Sequence, residues 1–142
     1  MEQQEKTIIT VSAIVAAPLT NVWEAWTKPE HITKWTFASD DWHAPSAEND
    51  LSIGGKFRTT MAAKDGSVSF DFSGTYTDIQ PQQLIAYEIE DGRTVEIVFS
   101  SNGNETEIKE SFEAENNNPI EMQKEGWQAI INNFKKYVES IN

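Results

Sequence analysis

Between Ser67 and Thr77 the chain alternates. Val68, Phe70, Phe72, Gly74 and Tyr76 fall on one face, and Ser67, Ser69, Asp71, Ser73, Thr75 and Thr77 on the other. A period of two predicts a long half-buried strand, with Gly74 as a point where it can bend. The same rule groups Phe57 with Thr59 and Met61, Ile85 with Tyr87 and Ile89, Val95 with Ile97 and Phe99, and Thr106 with Ile108, Glu110 and Phe112. Asp65-Gly66, Asp91-Gly92 and Asn102-Gly103 punctuate these runs with residues that tolerate the positive φ of tight hairpins. With a first strand near Thr7 to Val15, the pattern predicts about six strands in a mostly antiparallel sheet with one apolar face.

Helical periods bracket the strands. "APLTNVWEAWTKPEHITKW" predicts a short helix with Val22, Trp23 and Trp26 on one side, and a second helical turn opened by Pro29 and ending near Trp35. Asn118-Pro119 is an N-cap and first-turn pair that opens a long helix running to about Ser140. Thr36 to Gly54 reads as one long irregular stretch. The order strand, two short helices, meander, long helix gives an α+β domain spanning residues 1–142, a curved sheet around one helix. Trp127, Ile130, Ile131 and Phe134 form the helix's inward stripe, with Trp127 expected to be buried. Gln123, Lys124 and Gly126 interrupt its N-terminal half. Glycine is a poor helix former, so Gly126 serves either close strand contact or open space for a ligand.

Composition narrows the chemistry. The chain has 142 residues and no cysteine, which excludes disulfides, thiolate catalysis and cysteine-ligated metals. Acidic residues number 23 against 11 basic, for a net charge of −12, and the arginines are Arg58 and Arg93. Without clustered cations neither nucleic acid nor an anionic membrane surface is an expected partner. "MEQQEKTIIT" lacks an apolar signal core and no run is long enough to span a bilayer; a cytoplasmic monomer or homodimer is expected.

Glu110 is the most informative single residue. Strand parity sets it between Ile108 and Phe112 on the apolar face, where a carboxylate is costly unless paired. It is either a cavity-facing anchor or base, or a residue that a bulge turns to solvent. Tyr76 and Tyr87 share that face and offer hydroxyls over apolar bodies, as ligand contacts or as core tyrosines bonded to backbone. Gln123 offers a polar contact at a cavity mouth, whereas Lys124 reads as a surface lysine. Asp40, Asp41 and His43 in "SDDWHAP" have no second motif and read as an exposed loop, so no metal or other cofactor is expected. Gly54-Gly55 is not a phosphate loop, because no GKS/T follows.

"APLTNVWEAWTKPEHITKW", "ENDLSIGGKF", "GTYTDIQPQQLIAYEI" and "EGWQAIINNF" resemble, in order and spacing, the START-like helix-grip (SRPBCC) proteins. The branch is the one similar to the activator of the heat-shock ATPase. The most specific pieces are Asp50-x-x-x-Gly54-Gly55-x-Phe57, Gly74-x-Tyr76-x-x-Ile79-x-Pro81 and Gly126-Trp127. The resemblance implies a helix-grip fold, which hosts carriers, receptors and cyclases alike, so function has to be argued from the site. The leading expectation is a domain that binds a small hydrophobic or aromatic molecule in a cavity lined by Phe57, Phe70, Phe72, Tyr76, Tyr87, Ile97, Glu110 and Trp127. The alternatives are a cyclase- or hydrolase-like enzyme using Glu110 and a tyrosine, and a protein-interaction or chaperone-regulating module.

Overall fold

A computed structural model of the chain describes residues 7–141; the polar reading of the first six residues lies outside that range. Elements follow the order β1 (Ile8–Val15), α1 (Leu19–Thr27), α2 (Pro29–Ile32), β2 (Trp42–Asn49), β3 (Lys56–Ala63), β4 (Ser69–Gln80), β5 (Leu84–Ile89), β6 (Thr94–Asn102), β7 (Glu105–Glu113) and α3 (Ile120–Ile141). The strands form one curled antiparallel sheet, a half-barrel, in the order β1-β7-β6-β5-β4-β3-β2. It has seven strands where the periodicity predicts about six. The extra one is β2, inside the stretch read as irregular.

The hairpins sit where the dipeptides place them, and Gly66, Gly92 and Gly103 all have positive φ. In the β6–β7 turn Asn102 pairs with Glu105, leaving Gly103-Asn104 as a two-residue loop. Its glycine takes the first, left-handed position that few other residues tolerate.

β1 forms one edge of the sheet, and α3 covers it. Gln128 Nε2 donates to the Ser12 carbonyl at 2.9 Å and Lys135 Nζ to the Ile14 carbonyl at 2.7 Å, while Glu139 accepts from the Ala16 N–H at 2.8 Å. Gln128, Lys135 and Glu139 lie along one helical face, so backbone groups that an edge strand would leave unpaired find side-chain partners. The helix packs on β1 and α1. Its C-terminal half is fixed by an aromatic cluster: Trp26, Trp35 and Phe134 meet pairwise, with centroids 4.7 to 4.8 Å apart. The Trp35 indole N–H donates to the Ala25 carbonyl at 3.0 Å, so the ring is buried without an unsatisfied donor.

Ile131, Phe134 and Val138 are fully buried, but Trp127 is only half-buried, which corrects the expectation for it. Its ring stacks on Phe112 at 3.8 Å and meets Phe72 edge-on at 6.0 Å. Phe134→Ala should therefore cost about 3–5 kcal/mol and Trp127→Ala distinctly less, because a ring that is only partly buried leaves a smaller void. Urea denaturation of the two variants checks this; equal losses would place Trp127 in the packed core.

Candidate functional site

The two halves of α3 do different work. Where Phe134 and Val138 pack, the groove between helix and sheet is filled. Beyond Ile130 it opens into a cavity of about 340 Å³. Trp26, Ile32 and Trp35 close its inner end, β3 to β5 supply Phe57, Met61, Phe72, Tyr76 and Tyr87, and Trp127 covers it from the helix. An outer recess of about 360 Å³ adjoins it and shares Met61, Phe70, Arg93, Glu115, Trp127 and Ile130. Phe70 is half exposed and meets Trp42 edge-on at 5.9 Å, so these rings form an apolar rim at the mouth.

The motifs singled out in the sequence build one wall. Gly54 N–H donates to the Tyr76 carbonyl at 2.8 Å, and Tyr76 N–H to the Gly55 carbonyl at 2.9 Å, so the turn before β3 docks on β4. A Cβ on Gly74 would lie 2.8 Å from the Phe57 ring, so the glycine is what lets that ring lie flat across β4. Phe57 then meets Tyr76 at 5.3 Å, Tyr87 at 4.7 Å and Phe72 at 5.8 Å.

The two tyrosines differ. Tyr76 donates its hydroxyl to Asn49 Oδ1 at 2.5 Å, and Asn49 Nδ2 donates to the Thr27 carbonyl at 2.6 Å. This chain ties β4 through β2 to the end of α1 and leaves the Tyr76 hydroxyl committed. Tyr87 is buried against the aromatic wall, yet no described residue hydrogen-bonds its hydroxyl. Burial and the neighbouring Glu110 carboxyl push the Tyr87 phenol well above its ordinary range.

Glu110 faces inward, as one of the two open readings has it. It is 6 % exposed, lines the cavity, and pairs with Ile97 on β6 and Val11 on β1. No described residue donates a hydrogen bond or an ion pair to its carboxyl. Every fully enclosed side-chain nitrogen or oxygen among the described residues does have a partner. The free oxygens of Glu110 and Tyr87 therefore belong to the cavity surface rather than to the packed core. Burial raises the Glu110 carboxyl from 4.5 to about 8, which keeps most of it protonated at neutral pH.

Two expected ligand contacts, Ile97 and Gln123, have no group free for a ligand in the cavity. Ile97 points inward but is completely buried between β5 and β7 and does not reach the cavity. Parity gives the face, not the depth. Gln123 borders the outer recess, but its amide is spent on the helix start. It accepts from Glu115 N–H at 2.8 Å and donates to the carbonyls of Glu115 at 3.2 Å and Asn118 at 2.7 Å. Lys124 is exposed. Arg93, Thr59 and Met61 line the cavity and were not singled out as site residues in the sequence. Thr59 and Met61 share Phe57's parity, which was the available signal. Arg93 follows a hairpin glycine, and its guanidinium bonds Asp91 at 2.8 Å and the Glu113 carbonyl at 3.3 Å. Asp40, Asp41 and His43 are exposed, and no described group of three His, Asp or Glu side chains is placed to hold a metal.

A half-barrel sheet gripping a C-terminal helix over a lined cavity defines a START-like helix-grip protein. The chain belongs to the family described as activator of Hsp90 ATPase homolog 1-like proteins, whose family model matches residues 16–139. It is similar to the solution structure of an AHSA1-like protein from Aeromonas hydrophila, at 40% identity over 95% of this chain and 94% of that one, with a TM-score of 0.90. A protein from Cytophaga hutchinsonii is 55% identical over 93% and 92% of the two chains, with a TM-score of 0.80. A Nitrosomonas europaea protein shares the fold at 19% identity over 94% of each chain, with a TM-score of 0.79. A comparison with curated proteins finds no match.

Two outcomes follow from this geometry. Glu110 binds its proton more tightly folded than unfolded, so its contribution to stability is intact below about pH 4.5 and is lost as pH climbs through about 8. Relative to Glu110→Gln, the natural protein should lose on the order of a few kcal/mol between about pH 5 and about pH 8.5. Urea midpoints of both proteins across that range measure it, and parallel curves would mean the carboxyl is solvated.

The second concerns Gly126. A Cβ there meets nothing within 4 Å, and the residue borders the outer recess, so the close-contact reading is set aside. Gly126→Ala should raise stability by roughly 1 kcal/mol through helix propensity alone. A lower melting temperature would mean the methyl finds an obstacle.

Proposed function

We propose that this chain is a small-molecule binding domain whose ligand is a hydrophobic, largely aromatic compound held between the sheet and the N-terminal half of α3. The observation that carries this reading is the cavity itself. It is of ligand size, its walls are mostly apolar and rich in aromatic rings, and two unpaired polar groups face into it. An apolar wall supplies affinity by burying ligand surface, while a few polar groups fix orientation.

The family description names an activator of a chaperone ATPase, which is a statement about the homologue for which the family is named. An interaction module of that kind would use surface rather than an open interior, so the cavity favours small-molecule binding. An enzymatic reading has one specific observation behind it. A carboxyl raised to about 8 beside a buried phenol is the pairing that proton-transfer sites use.

Isotope-labelled protein titrated with a panel of naphthalene- and indole-based compounds should show saturable shifts. They should be confined to the signals of Phe57, Phe72, Tyr76, Tyr87 and Trp127, with Ile97 unmoved, and likewise His31 and Tyr137, which hydrogen-bond each other at 2.6 Å and do not line the cavity. Shifts scattered over the surface, or none that saturate, would refute the binding reading. Recovery of a chemically altered compound would move the assignment to the enzymatic one.

A further inference from the structure

The register fixes how the two unpaired groups stand to each other. Tyr87 pairs with Val95 and Glu110 with Ile97, so they flank β6 on its two sides, one pleat repeat apart, on the same concave face. The curl of the sheet turns their tips toward the same space, which both residues line. We propose that Glu110 and Tyr87 form a two-donor site for a carbonyl oxygen, so that the cavity selects a neutral aromatic compound bearing a ketone, ester or quinone-type carbonyl. This rests on the binding reading above and names the chemistry that the bound compound must carry.

Three arguments support donors rather than an anion. The walls are apolar, and in such surroundings the uncharged form of a carboxylic acid is the stable one. Among the described residues no cation is placed to hold the charged form. Arg93, which reaches the cavity from the β5–β6 turn, is committed to Asp91 and to the Glu113 carbonyl. The other titratable groups around the cavity are Tyr76 on β4, bonded to Asn49, and Glu115 after β7, which accepts from Asn118. From α3 the cavity receives Trp127 and Ile130, neither of them charged. A protonated carboxyl and a phenol each present one O–H and can both point at one acceptor. The same division of labour, a tyrosine plus a carboxylic acid kept neutral by apolar surroundings, is a known way to hold a carbonyl or enolate oxygen.

The test uses three probes of one shape: acetylnaphthalene, isopropylnaphthalene and naphthylethylamine, titrated calorimetrically into the natural protein and its variants. At about pH 6.5 the ketone should bind about tenfold tighter than the hydrocarbon. Above about pH 8, where Glu110 loses its proton, that advantage should disappear over about one to two pH units. Tyr87→Phe should lose most of the advantage. Glu110→Gln keeps an N–H donor, so it should retain the advantage and lose its pH dependence, while Glu110→Leu should abolish it.

Equal binding of ketone and hydrocarbon would overturn the proposal and leave the apolar cavity reading standing. Tightest binding of the amine, strengthening as pH rises toward 8, would overturn it in favour of a carboxylate that anchors a cation. Failure of all three probes to bind would overturn it together with the binding reading. Should Glu110→Leu not fold, the pH profile of Glu110→Gln decides alone.

Discussion

β1 ends the sheet, so its outward N–H and C=O groups would stand unpaired unless something covered them. The side chains that cover them belong to α3, and this decides where the helix lies. With Gln128, Lys135 and Glu139 bonded along β1, the helix axis is held over that margin of the half-barrel. A sheet of seven curled strands is wider than one helix placed over its margin can fill. The aromatic cluster of Trp26, Trp35 and Phe134 fills the C-terminal end of the gap. Toward the N-terminal end no comparable plug exists among the described residues, and the cavity is what remains.

The polar groups follow from the same placement. A buried hydroxyl or carboxyl is tolerated where it has a partner or where it can reach open space. Tyr76, on β4, reaches Asn49 across the curl of the sheet and becomes part of the scaffold. Tyr87 on β5 and Glu110 on β7 also line the concave side, and no described residue bonds their oxygens. An apolar residue at 110 would avoid the desolvation that raises the carboxyl to about 8. The site therefore carries a cost in stability that packing alone does not require, and costs of this kind collect where a structure binds or reacts.

Much of this was legible in the sequence, for reasons that also explain what was not. The meander and the long helix announce themselves because one face of each is buried, so hydropathy repeats with the period of the element. β2 gives no such signal. Its sequence, Trp42–Asn49, alternates poorly and is buried fully only at Ala44. It also carries Pro45, within the stretch where the register shifts between His43 and Ser46. As the far edge of the sheet it can accommodate a proline that a central strand could not. Glu110 was found by parity, but its unpaired state depends on what faces it from β5 and α3, which no local pattern encodes. Ile97 and Gln123 fail in the opposite direction. Ile97 has the right face but is completely buried, and Gln123 has the right place but is occupied by the turn that starts its own helix.

Gly126 joins these threads. In a helix whose task was only to pack, a glycine one residue before a tryptophan would be a weak point with no return. Here the C-terminal half of α3 and the β1 bridges hold the helix, so its N-terminal half carries little of the packing load. There Trp127 stacks on Phe112 and lines both the cavity and the outer recess, and Gly126 borders the recess. Stability and vacancy are thus assigned to different stretches of one continuous helix. Substitutions around Gly126 and Trp127 can reshape the entrance while the Phe134 cluster keeps the fold, and this separation lets one scaffold carry different cavities.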